Sequence, residues 1–133
     1  MRILAFPLAG VASCLIATTS ALTAQATTVT PLMAKPLTDI PGKEILVITV
    51  EYAPGAADSV HRHNAHAVIY VLEGSIVMQV TGGKQVTLSP GETFYEGPDD
   101  IHTVGRNASS TRPAKSLVFF LKGMGSPPLV PVP

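Results

Sequence analysis

Three of the four histidines stand within six residues, His61, His63 and His66 in the stretch HRHNAHAVIYVLEG, and the fourth is His102. Imidazole nitrogen is the commonest protein ligand for Zn, Cu, Fe and Ni. Residues two apart on a strand point to one face, so His61 and His63 project together and Arg62 projects away. An H-x-H pair alone is a weak signal, because solvated loop histidines have the same spacing. His102 adds weight: it too opens an apolar segment, after the turn Pro98-Asp99-Asp100. The chemistry such a set supports is the binding of a divalent transition metal. No Ser/His/Asp order, phosphate loop or internal repeat competes with it.

The segments that must position these residues read as strands. KEILVITVEY (43–52) is rich in Ile and Val and is bounded by Pro41-Gly42 and Pro54-Gly55. AVIYVLE (67–73) and SIVMQVT (75–81) flank Gly74, and Gly82-Gly83 turns into KQVTLS (84–89). ETFYE (92–96), IHTVGRN (101–107) and KSLVFFL (115–121) complete the set. No stretch beyond the N-terminus has a helical period with caps. Short strands punctuated by Gly and Pro predict an all-β sandwich or small barrel. The tail, GMGSPPLVPVP (123–133), cannot join a central sheet because its prolines lack donors, and is expected to be extended and loosely held.

The first 26 residues are a different kind of sequence. MRILAFPLAGVASCLIATTSALTAQA carries one charge, Arg2, then an apolar run that ends in Ala24-Gln25-Ala26. That is the pattern of a cleaved secretory signal peptide. A membrane anchor is the alternative, against which Pro7, Gly10 and many Ser and Thr dilute the run. A lipid-anchored Cys14, in Val11-Ala12-Ser13-Cys14, is a second. Cleavage after Ala26 removes the only cysteine, so the exported chain would have neither a disulfide nor thiolate chemistry. Nine basic residues, Arg2 among them, face nine acidic ones. Without a basic cluster there is no reason to expect nucleic acid.

The spacing of these residues resembles the cupin superfamily over nearly the whole exported chain. The first cupin motif is a Gly, five residues, H-x-H, three or four residues, a Glu, six residues and a Gly. Here Gly55, AADSV, His61-Arg62-His63 and Gly74 stand in those places. The second motif is a Gly, five residues, P-x-G, two residues, a His, three residues and an Asn. Here Gly91, ETFYE, Gly97-Pro98-Asp99, Asp100-Ile101 and His102 follow, and the Asn is displaced by one, to Asn107. The motif glutamate is missing: its positions hold Ala67 or Val68.

The resemblance implies a double-stranded β-helix, or jelly roll, of two antiparallel sheets over 43–122, with 27–42 as an N-terminal arm or edge strand. It implies His61, His63 and His102 as metal ligands. His66, beside the vacant position, would replace the glutamate if Asn64-Ala65 shifted the strand parity. Gln79 and Glu96 are other oxygen donors, and Tyr70 and Tyr95 are further candidates for the substrate pocket. Met78, Phe94, Phe119 and Phe120 read as core or dimer-interface residues. Three imidazoles without a carboxylate would leave the ion its full charge and favour an oxyanion ligand. Zn or Cu is favoured over Fe, with Mn and Ni open. The expected protein is periplasmic or secreted, free of the membrane once mature, and a homodimer. It is a metal-dependent enzyme on a small oxygen-rich molecule, a dioxygenase or an isomerase or hydrolase. The alternative is a non-catalytic metal- or ligand-binding module. N-terminal sequencing of the exported protein is expected to begin at Thr27; a chain that begins at an acylated Cys14 would overturn the leader reading.

Overall fold

The computed structural model describes residues 26–133. The readings placed on residues 1–25, including Cys14, lie outside that range. Ten strands follow in chain order: β1 (Thr27–Pro36), β2 (Lys43–Tyr52), β3 (His61–Arg62), β4 (His66–Glu73), β5 (Ile76–Val80), β6 (Val86–Leu88), β7 (Thr93–Glu96), β8 (His102–Asn107), β9 (Ala114–Gly123) and β10 (Val130–Pro131). Among the described residues there is no helix. The strands form two five-stranded antiparallel sheets, ordered β1-β2-β9-β4-β7 and β10-β3-β8-β5-β6. This is the jelly roll expected from the sequence.

Alternation explains the inside of the barrel. Along β4, Ala67, Ile69 and Val71 are buried and His66, Val68 and Tyr70 are exposed. β9 alternates likewise, with Ala114, Ser116, Val118 and Phe120 facing in. These inward residues meet Ile76 and Met78 of β5 in one core cluster. Each large apolar side chain buried there contributes roughly 1.5–3 kcal/mol. Gly74 makes the tight β4–β5 connection possible: its φ is +68°, and a Cβ there would lie 2.6 Å from the Pro113 carbonyl oxygen.

One irregularity sets the face of the later residues of β8. On β5, Gln79 and Val80 are consecutive, yet their partners on β8 are Val104 and His102. The extra residue, Thr103, is a bulge, and it reverses the parity beyond it. His102, Gly105 and Asn107 are therefore all buried. Without the bulge, a residue five positions from His102 would face outward. This accounts for the displaced asparagine of the second motif. Asn107 Nδ2 donates to the carbonyls of Arg112 (2.7 Å), Ala53 (3.1 Å) and Tyr52 (3.2 Å), which ties β8 to the end of β2.

The tail is held more firmly than its composition suggests. β10 pairs with β3 at the edge of the second sheet, where a proline costs no central hydrogen bond. Lys122, only 4% exposed, pairs with Glu44 and donates to the Ser126 carbonyl at 2.7 Å, anchoring the turn that starts the tail. Truncation after Gly123 is therefore expected to lower the melting temperature of the metal-free protein and to weaken metal binding. Circular dichroism melts with a chelator-competition titration check this; an unchanged melting temperature and affinity would show the tail to be dispensable.

Candidate metal centre

His61 and His102 are direct cross-strand partners on β3 and β8. His63 follows β3 and precedes Asn64, whose φ of +49° starts the turn into β4. The ligating nitrogens of the three lie within 4.8 Å of one another, so together they could hold a metal ion. His61 and His102 are each 3% exposed, and the His63 side chain 11%.

Backbone carbonyls orient each ring. His61 Nδ1 lies 2.7 Å from the Ser59 oxygen, His63 Nδ1 2.5 Å from the Pro128 oxygen, and His102 Nε2 2.6 Å from the Val104 oxygen. A carbonyl only accepts, so each of these nitrogens carries the proton. The neutral ring then presents a lone pair on its other nitrogen, which faces the common centre. His61 Nε2 and His102 Nδ1 stand 3.3 Å apart there. A carbonyl or carboxylate on the outer N–H is the usual support of a metal-binding histidine.

The fourth group at the centre is Glu96, the last residue of β7. Its Oε2 lies 3.3 Å from His63 Nε2 and its Oε1 3.4 Å from His102 Nδ1. It is 1% exposed, and among the described residues neither oxygen has a hydrogen-bond partner. Buried polar atoms are normally paired, and a buried carboxylate without partners is costly. Inward lone pairs and an orphaned carboxylate are a donor set that fits a divalent cation. The expectation that the site lacks a carboxylate is thereby corrected: Glu96 brings its negative charge to the three imidazoles, so an ion held here would not keep its full charge and would have no special preference for an oxyanion ligand.

His66 is elsewhere. It is exposed on the outer face of β4, with Nδ1 2.7 Å from the Tyr95 hydroxyl. The Asn64-Ala65 turn leaves Ala67 inward, so the parity shift that would have carried His66 inside does not occur. Tyr70 and Tyr95 are 42% and 56% exposed on the same outer face, where Phe119 also lies, 38% exposed. Gln79 Nε2 donates to the Gly83 carbonyl at the β5–β6 turn. Of the four pocket candidates, only Glu96 lines the cavity.

That cavity measures about 110 Å³ and runs from the histidines between the sheets, walled by Ile48, Val118, Phe120 and Met78 and reached by Leu129 of the tail. Four polar residues not singled out from the sequence also line it: Thr27, Tyr52, Asp58 and Ser116. The Tyr52 hydroxyl donates to Asp58 Oδ2 at 2.6 Å and the Thr27 hydroxyl to Asp58 Oδ1 at 3.3 Å. Burial, and then the Asp58 charge, push the Tyr52 hydroxyl well above the usual tyrosine range. The available signal was Asp58 as the one charged residue between Gly55 and His61. Gly105 lets this group approach the centre: a Cβ there would lie 2.6 Å from His102 Cε1 and 2.7 Å from Asp58 Oδ2.

A family model described as the cupin domain matches residues 48–120. The chain belongs to the cupin family. No curated protein matches it in sequence. Its fold is similar to that of a protein from Thermus thermophilus, 30% identical, with a TM-score of 0.53, over 68% of this cupin and 82% of that chain. It is also similar to a cupin domain from Bordetella pertussis Tohama I, 17% identical, TM-score 0.59, over 77% of this chain and 100% of that one. A third likeness is to a DMSP lyase from Ruegeria pomeroyi DSS-3, 22% identical, TM-score 0.58, over 66% of this chain. This cupin spans 43% of the lyase's length.

Protonation competes with a metal at this centre. Burial opposes charging of His63, but the Glu96 carboxylate and the Pro128 carbonyl outweigh it and raise the ring above 6.5. Burial likewise opposes the Glu96 charge, but His63, His102 and His61 outweigh it and hold the carboxyl below 4.5. Burial lowers His102. In the metal-free protein the raised His63 stabilises the fold below its unfolded value, and this is lost as pH rises through its folded value. The lowered Glu96 stabilises it above its unfolded value, and this is lost as pH falls through its folded value. A metal must displace the His63 proton. Affinity is therefore expected to start falling on acidification while the pH is still above 6.5, the ordinary histidine value. Zn²⁺ competition titrations across the histidine range check this, and an affinity that stays flat until below that value would contradict it.

Proposed function

We propose that this cupin is an exported metal-dependent enzyme acting on a small oxygen-rich molecule. The observation that carries the reading is the set of three carbonyl-anchored imidazoles turned toward a buried, unpartnered carboxylate at the end of a cavity. His61, His63 and His102 would hold the ion, with Glu96 beside them. A bound divalent ion supplies Lewis-acid polarisation of a substrate oxygen.

The chain's own residues supply the rest of the site. Ile48, Val118 and Phe120 keep bulk water from the cavity wall, which strengthens every polar contact inside. Tyr52 retains its proton and shares it with Asp58, so the pair offers a fixed hydroxyl and a carboxylate to a substrate's polar groups. Dioxygenation and isomerisation or hydrolysis are the reaction classes this arrangement suits; a barrel of this shape does not choose between them.

Export by the leader would bring the unfolded chain to its metal outside the cytoplasm. Nitrogen donors there favour Zn or Cu over Fe. The test is metal analysis of protein purified from its native compartment, followed by turnover and oxygen-uptake assays on a panel of small hydroxy acids, diols and catechols. Zinc with turnover and no oxygen uptake is the expected result and supports isomerisation or hydrolysis. Iron or copper with substrate-dependent oxygen uptake supports the dioxygenase. Metal at one per chain without turnover on any compound would replace the enzyme reading by that of a binding module. Protein that takes up no metal would overturn both.

A further inference from the structure

Ala67 and Glu96 are cross-strand partners: β4 meets β7 in the register Ala67–Glu96, Val68–Tyr95, Ile69–Phe94. Ala67 is one of the two positions where the first motif calls for its glutamate. In an antiparallel pair, residues directly opposite each other have Cα atoms about 4.5–5.5 Å apart and project from the same face. Both are buried, at 0% and 1% exposure, so both project into the barrel. A glutamate at 96 therefore starts within a side chain's length of the missing one.

The polar atoms at the centre all have one character. The outward N–H groups of His61, His63 and His102 are spent on Ser59, Pro128 and Val104. With the three rings neutral, what remains inward is three lone pairs and the two oxygens of Glu96. Without an ion, the donor open to Glu96 is a proton taken up by His63, whose Nε2 lies 3.3 Å from Oε2. A single proton on one ring would satisfy one pair of atoms and leave the others opposed. A cation among the three rings would accept their lone pairs and stand beside the Glu96 carboxylate, whose oxygens lie 3.3 Å from His63 Nε2 and 3.4 Å from His102 Nδ1.

We propose that Glu96 is the carboxylate ligand of this centre, transferred from β4 to the end of β7 across the strand register, with Ala67 as the small residue that makes room for it. The inference rests on the metal reading above and assigns that site its fourth side chain.

The experiment compares wild type, E96Q, E96A and the double variant A67E/E96A by metal stoichiometry, chelator-competition affinity and the visible spectrum of the Co²⁺ form. E96Q keeps the shape and removes the charge. It is expected to bind Zn²⁺ more weakly by more than the roughly 10–100-fold that outer-sphere changes produce, with an altered Co²⁺ spectrum. The double variant puts the carboxylate back on β4 and is expected to recover affinity over E96A. Folded E96Q with unchanged affinity and spectrum would overturn the assignment, whatever the double variant does. A folded double variant that binds no better than E96A would overturn the transfer across the register. Wild type that binds no metal would instead overturn the metal reading itself.

Discussion

Three backbone carbonyls decide what the interior of this barrel is for. Each accepts the outer N–H of one imidazole and so aims a lone pair inward. The carbonyls come from widely separated places: the loop before β3, the interior of β8 and the C-terminal tail. Once they are spent this way, the neutral rings turn only acceptors to the centre, and Glu96 adds its two oxygens to them. The core around it is ordinary apolar packing.

Strand register delivers the side chains to that centre. His61 and His102 meet because they are partners on adjacent strands of one sheet. Glu96 meets them from the other sheet, so the site fastens the two sheets together. The bulge at Thr103 reverses the parity of β8, bringing Gly105 beside His102 and turning Asn107 inward to bind the end of β2. Flattening the bulge with every residue kept would turn Asn107 to solvent while His102 stayed in place. The bulge thus keeps both the candidate ligand His102 and the structural pin Asn107 facing inward on one short strand.

Both ends of the described chain help to enclose the cavity. β1 pairs along β2 and brings the Thr27 hydroxyl to Asp58. The tail returns along β3 and supplies the Pro128 carbonyl to His63. Pro128 is thus part of the candidate metal centre's support although it lies far from the motifs, and Lys122 holds the turn from which the tail departs. Edge strands are the least protected parts of a sheet, and here each edge closes one side of the site.

The sequence by itself determined most of the strands and, through its resemblance to the cupin motifs, the jelly roll and the three histidines, because these rest on local signals. β-rich runs end at Gly and Pro, and H-x-H places two rings on one face whatever the rest of the chain does. It did not determine the fourth group. Parity along β4 makes Ala67 inward and His66 outward, and a reading confined to one strand could only find the position vacant. That Glu96 faces Ala67 is a matter of register between strands far apart in sequence, and register is set by packing of the whole sheet. The same holds for Tyr70 and Tyr95, which alternation carries to the outer face, and for Asp58, Tyr52 and Pro128. Their parts depend on where a loop, a strand end and a tail meet in space, and only the tertiary structure decides that.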